Sequence, residues 1–184
     1  HNFSGNTSFD LTYVTTEKAG ENDSKTWHTD KINIFVNPIA DNVNTTNSTT
    51  IYEDIVTKVD LTATLKDSGT TNGTETIDAV YVSKATIESM ITQGYILTVN
   101  EVDITSKGTE TITPLNGTNA EYYVLTYAEA DQISVINTNT HKINGDFSLN
   151  VAYKVTDTNN AVSDTKIYGH THTVTVKAVT DQPT

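Results

Sequence analysis

The sequence predicts an all-β protein, an antiparallel β-sandwich with one short helix, and three observations predict it. Apolar and polar residues alternate over long stretches, as at Phe147, Leu149, Val151, Tyr153 and Val155, and period two is the pattern of half-buried strands. Asn-Gly pairs at Asn72-Gly73, Asn116-Gly117 and Asn144-Gly145 punctuate these stretches as hairpin turns do. The chain has 184 residues, 35% of them hydrophobic and 8% aromatic, enough for one core of ordinary size and part of a second.

Taken in order, strands near 8–16 and 31–37 carry Phe9, Leu11, Tyr13, Ile32 and Ile34. A polar linker, DNVNTTNSTT, runs from 41 to 50. Val59, Leu61, Ala63 and Leu65 then alternate as a strand, followed by TIDAVYV at 76–82. Ser83 is placed to cap a helix, KATIESMITQ, whose Ile87, Met90 and Ile91 fall at helical spacing as a core stripe, and Gly94 stands where a C′ glycine would end it. Such a helix would lie as a lid on one end of the sandwich. The shorter segments YILTV (95–99), VDIT (102–105), YYVLT (122–126) and QISVI (132–136) supply further strands. Two long ones close the chain, the first through Phe147 to Val155 and the second through His172, Val174, Val176 and Ala178. About seven strands joined by such turns make a sandwich.

The chain also repeats itself. With Tyr13 placed on Tyr153, an offset of 140, Phe9 falls on Leu149, Leu11 on Val151, Glu17 on Asp157, Ile34 on Val174, Ile39 on Val179 and Asp41 on Asp181. A period near 140 residues follows, longer than the usual solenoid unit. Residues 1–41 then read as the back half of a preceding sandwich, and residues 42–184 as one complete repeat. One back half is left without its front half. Its apolar residues would face water, so it is expected to pack against another chain or a neighbouring sheet. Strand exchange between chains through 1–41 is the sharper form of that expectation.

Composition narrows the function. Asp and Glu outnumber the basic residues by 23 to 11, a formal charge of −12, and every basic residue is Lys. Without Arg for bidentate phosphate contacts, neither nucleic acid nor an anionic membrane is a good partner. There is no Cys, which excludes disulfides and thiolate metal sites. No stretch reaches the roughly 18 apolar residues of a membrane span. No nucleophile elbow, phosphate-cradling loop, HExxH or Ser/His/Asp constellation can be assembled, and no enzymatic activity is expected.

The order YEDIVTKVDLTATLKDSGTTNGTETI (52–77), YVLTYAEADQISVI (123–136), NGDFSLNVAYKVTDTNN (144–160) and HTVTVKAVTDQPT (172–184) resembles the large Ig-like or cadherin-like extender repeats of bacterial RTX adhesins. NFSGNTSFDLTY (2–13) and VNPIAD (36–41) match the second half of the same pattern. The chain departs from it in the helix at 84–93 and in its long polar linker. The resemblance implies an extracellular protein of the bacterial surface, in contact with neighbouring repeats of the same polypeptide and serving adhesion or biofilm formation.

It also implies Ca²⁺, which takes roughly 6–8 oxygen ligands and suits a chain rich in carboxylates and free of soft ligands. The residues it points to are Asp41 closing one unit, Glu53 and Asp54 opening the next, Asp67 with Glu75 in the first loop, Asp157 with Asp164 in the loop after the Tyr153 strand, and Asp181 at the exit. Many carboxylates in such a chain simply solvate loops, and Asp103, Asp131 and Asp146 read as turn residues. His170 and His172, two apart on a strand, could hold Zn²⁺ with a third ligand but read more simply as strand residues. The alternative function is a module that binds a glycan or peptide through the loops of 100–120, with Tyr122 and Tyr123 as stacking candidates.

Overall fold

The computed structural model describes residues 4–19, 22–53, 55–66, 74–137, 145–159 and 162–177. It is an all-β sandwich preceded by a separate hairpin. The hairpin pairs β1 (Gly5–Ala19) with β2 (Asn22–Val36) in a two-stranded sheet of its own. The stretch 41–50, expected as a linker, is partly strand, since it holds β3 (Asn44–Thr45) and the start of β4 (Ser48–Tyr52); β5 (Thr57–Val59), β6 (Ala63–Thr64), which pairs with β3, and β7 (Thr74–Ser83) follow. Helix α1 (Lys84–Thr92) leads to β8 (Tyr95–Val99), β9 (Val102–Asp103), β10 (Thr109–Ile112) and β11 (Ala120–Leu125). A one-turn helix, α2 (Tyr127–Ala130), precedes β12 (Ile133–Asn137), and the long β13 (Gly145–Asn159) and β14 (Val162–Lys177) follow.

Six strands form the larger sheet in the order β10-β11-β7-β13-β14-β4, and four form the facing one in the order β5-β12-β8-β9. Among the described residues, the strand pairings of these two sheets are antiparallel except β14 with β4, which is parallel. Val80, Val82, Leu149, Val151, Tyr153, Val155 and Val174 from the larger sheet meet Val59, Leu97, Val99, Ile133 and Val135 from the smaller in one buried cluster. A full side chain of this kind contributes about 1.5–3 kcal/mol on burial. Tyr153, at the centre, is buried and its hydroxyl donates to the Leu61 carbonyl at 2.9 Å. Burial, with Asp60 nearby, pushes its pKa far up, so it stays a neutral donor.

Helix α1 starts as its sequence dictates. The Ser83 hydroxyl accepts from Thr86 N–H at the cap, and Gly94 takes the left-handed φ of 85° that ends the helix. Ile87 and Met90 enter the core, but Ile91 is exposed, so the expected stripe of three is two residues wide.

Other expectations are corrected. Val59, Leu61 and Ala63 alternate inward as predicted, yet they are not one strand. The Asp60 carboxylate accepts from both the amide and the hydroxyl of Thr62, and Leu61 N–H turns to the Ala130 carbonyl, which breaks the ladder between β5 and β6. VDIT is a strand only at Val102–Asp103, because Asp103 caps a 3₁₀ turn over Ile104–Ser106 by accepting from Thr105. Asp103 is thus the expected turn residue. Asp131 also stands in a turn, at the end of α2, but its side chain binds Lys58 at 2.8 Å rather than a nearby amide, and Asp146 lies within β13 opposite Thr175. The turns at Asn72-Gly73 and Asn144-Gly145 fall at least partly outside the described residues, and Ala178 falls outside them. The turn at Pro114–Gly117 is present, with Asn116 at φ 63° and Gly117 N–H donating to the Pro114 carbonyl.

Candidate functional site

The site lies where the separate hairpin joins the sandwich. Asn37 to Val43 has no regular structure, yet Pro38, Ala40 and Val43 are buried. Buried backbone must find hydrogen-bond partners, and here charged side chains of the sandwich supply them. Ile39 N–H donates to Asp157 Oδ2 at 3.1 Å, Ala40 N–H to Asp164 Oδ2 at 2.9 Å, and Asp41 N–H to Glu75 Oε1 at 2.7 Å. Three successive amides meet three carboxylates.

The carboxylates stand side by side because of strand register. Asp157 on β13 is directly opposite both Glu75 on β7 and Asp164 on β14. A bulge makes this possible. Lys154 pairs with Ala79 but Val155 pairs with Ile77, so Asp78 is an extra residue. Side chains alternate along a strand, and one extra residue exchanges its faces. Val82 and Val80 face the core on one side of the bulge; Ile77 and Glu75 do so on the other. Asp78 itself accepts from the hydroxyls of Thr76 and Thr156.

Three like charges directly opposite one another repel. Amide hydrogens and one ammonium offset that repulsion, since hydrogen bonds to ionised groups are about twice as strong as neutral ones. Lys166 Nζ lies 3.0 Å from Asp164 Oδ2 and donates to the Ala40 carbonyl at 3.1 Å, a carbonyl that also accepts from Tyr168 Oη at 2.7 Å. Burial tends to raise the Asp164 carboxyl, but the Ala40 amide and Lys166 outweigh it and hold the group below its usual value. The Lys166 ammonium is raised, first by its bond to Asp164.

The same face of β14 continues the grip. His170 Nε2 meets Asn42 Oδ1 at 2.8 Å. His172 is buried, its Nδ1 donating to the Thr46 carbonyl at 2.9 Å while its Nε2 meets the Thr49 hydroxyl at 2.8 Å. Every second residue of β14 from Asp164 to His172 therefore holds a residue between Ala40 and Thr49. Beyond them, β4 joins β14 as a parallel strand. Residues 40–52 thus run alongside 164–177 in the same direction.

Of the predicted site residues, Asp41, Glu75, Asp157 and Asp164 come together. Asp157 and Asp164 lie in strands rather than in a loop, because the β13–β14 ladder runs on to Asn159 and Val162. Glu75 likewise opens a strand. Glu53 is buried at the far end of β14, where its N–H donates to the Lys177 carbonyl at 3.0 Å. Thirteen residues of strand separate that point from Asp164, about 40 Å at the usual rise, so Glu53 does not join Asp41. Asp54, Asp67 and Asp181 fall outside the described residues.

As a cation site, the donor set is right in kind, being carboxylates and carbonyls. Its arrangement fits less well, since an oxygen of each of Glu75, Asp157 and Asp164 is turned to an amide hydrogen. Among the described residues no group of three or more His, Asp or Glu is spaced to hold a metal ion. That includes His170 and His172, whose ring nitrogens engage the linker.

Tyr122 and Tyr123 are not surface stacking residues. Tyr123 is in the main core, and Tyr122 packs edge-on to Tyr81 at 6.5 Å in a second buried cluster with Ile112 and Ala152. No helix among the described residues is long and apolar enough to cross a membrane. Comparison of the chain with protein-family models, curated proteins and solved structures gives no match in any of the three.

Proposed function

We propose that the chain is a structural extender module of a surface fibre, in which one β-sandwich unit is joined stiffly to the next. The observation that supports this reading is the grip on the linker, where Asp157, Asp164 and Glu75 hold three consecutive amides. A flexible connection would need none of these bonds, and ordering a linker costs conformational entropy of about 1–2 kcal/mol per residue. The internal repeat and the resemblance to adhesin extender repeats add an extracellular setting on a bacterial surface, with a role in holding an adhesive tip away from the cell.

Calcium is the second part of the proposal. Asp41 and its three neighbouring carboxylates form the acidic end of the sandwich, and a hard cation there would lower their mutual repulsion further. Thermal unfolding in excess EDTA and then in millimolar CaCl₂ tests this part, a concentration matched to extracellular sites with Kd of roughly 10⁻⁴–10⁻³ M. A clear rise in Tm supports the ion. An unchanged Tm removes calcium and leaves a stiff joint made by hydrogen bonds alone. The joint is tested separately by residual dipolar couplings on the hairpin and the sandwich. One shared alignment tensor is expected, and two independent tensors would overturn the extender reading.

A further inference from the structure

The hairpin β1–β2 and the hairpin β13–β14 have the same internal register. All fifteen pairs of the first, from Gly5 with Val36 to Ala19 with Asn22, fall on the fifteen pairs of the second when 140 is added to each number. Faces correspond as well as registers. Phe9, Leu11, Tyr13, Ile32 and Ile34 share one face, and their counterparts Leu149, Val151, Tyr153, His172 and Val174 are all buried.

Surroundings differ. On the second hairpin, β7 pairs with β13 over Val151–Thr158, β4 pairs with β14 over Thr173–Lys177, and the smaller sheet covers the face. Among the described residues neither edge of the first hairpin has a strand beside it. Phe9 is 51% exposed where Leu149 is 0%, and Tyr13 is 41% exposed where Tyr153 is 1%. A two-stranded sheet with an exposed apolar face is marginally stable alone, and apolar residues gathered on one exposed face mark an interaction surface.

We infer that β1–β2 is the docking surface for a front half of this chain's own design, of the kind residues 42–137 form, connected ahead of β1 as that segment is ahead of β13. A β7-like strand would pair antiparallel with Leu11–Lys18, a β4-like strand parallel with the end of β2, and a four-stranded sheet would cover Phe9, Leu11, Tyr13, Ile32 and Ile34. The inference rests on the repeat within the reading above and is independent of calcium.

The test joins a second copy of residues 42–144 directly to Gly5 of the otherwise complete chain, since Gly5 corresponds to Gly145. Hydrogen exchange of the Leu11–Glu17 amides is expected to slow at least tenfold in the fusion, and the dye fluorescence that reports the bare apolar face should be lost. Phe9→Lys with Ile34→Lys should abolish both effects in the fusion while leaving the Tm of the unfused chain unchanged. The same segment co-expressed as a separate polypeptide with the full chain provides a second assay. Absence of protection in both forms overturns the inference. So does sedimentation of the unfused chain as a dimer with these amides already protected, which would make a second copy the occupant. Neither failure touches the linker bonds, which the shared alignment tensor reads on its own.

Discussion

Two hairpins of one chain, alike in register and in the placing of their apolar residues, have opposite environments. β13–β14 is the centre of a core; β1–β2 stands apart. The ladder is therefore a local property of the two strands, whereas burial of the face depends on what the rest of the chain brings to it. Sequence similarity between the two hairpins carries the first property and not the second.

The largest test of this difference is a matched pair of truncations. Tyr153→Ala is expected to cost about 3–5 kcal/mol, as large buried aromatics do, because it opens the core and strips the Leu61 carbonyl of its donor. Tyr13→Ala at the equivalent exposed position should cost under about 1 kcal/mol, including its stacking on His28 at 5.1 Å. Denaturant unfolding of both variants measures the gap, and equal costs would mean the first hairpin is covered in solution.

A smaller contrast lies at the acidic ends. Asp157→Ala leaves the Ile39 amide without its acceptor and should cost about 1–3 kcal/mol, with faster proteolysis between Asn37 and Val43. Glu17→Ala, the matching change on β1, should stay within about 0.5 kcal/mol, as surface changes do. If Asp157→Ala stabilises the protein, relief of repulsion from Glu75 and Asp164 outweighs the lost bond.

Acid should sharpen the comparison further by acting on the held linker. Burial lowers the His170 pKa, with Lys66 adding to the effect. The unfolded chain then takes the proton first, near the ordinary value of 6.5, so stability is whole above that pH and declines as the pH falls below it. His170→Gln should flatten this decline in a pH series of unfolding midpoints. Asp164 acts in a lower window, because its carboxyl is held below the ordinary 3.8. Its contribution is present above that value and is lost as the pH falls through the depressed one.

The smallest expected effect concerns the outer faces. Trp27 is 71% exposed, and its counterpart Ile167 packs against the second buried cluster. Trp27→Lys should change stability by no more than about 0.5 kcal/mol, and Ile167→Lys should cost measurably more. Equal losses in the two would indicate cover over Trp27.

The long strands and helix α1 were legible because their signals are periodic and local: alternation at Phe147–Val155, a cap at Ser83, a stop at Gly94; β4, β10 and the one-turn α2 were not foreseen. Half of the acidic residues pointed to, Asp41, Glu75, Asp157 and Asp164, were gathered at the joint, and strand register together with the bulge at Asp78 is what gathers the last three. The bonding of that site was not legible. Nothing in TIDAVYV marks Asp78 as an extra residue, because bulges depend on the neighbouring strand, and without the bulge Glu75 would face away from Asp157. One overlooked signal was present. Asp164, Lys166, Tyr168, His170 and His172 occupy alternate positions of a strand whose later members, Val174 and Val176, are core residues, and polar groups on an inward face require a polar client. That client is the linker.

The parallel run of residues 40–52 against 164–177 has a mechanical consequence. When the two ends of the sandwich are pulled apart, the chain entering at the linker and the chain leaving after Lys177 draw two parallel neighbours in opposite directions along their length. The linker bonds of Asp164 to His172, the β4–β14 ladder, and the bonds from Thr173 N–H to the Asn47 carbonyl and from Glu53 N–H to the Lys177 carbonyl are then loaded together in shear, instead of one after another as in an unzipping hairpin. Rupture under load is governed by the unfolding rate rather than by equilibrium stability, and shared loading raises the force at which that rate becomes fast. A domain of ordinary stability can in this way make a strong link in a tensioned fibre.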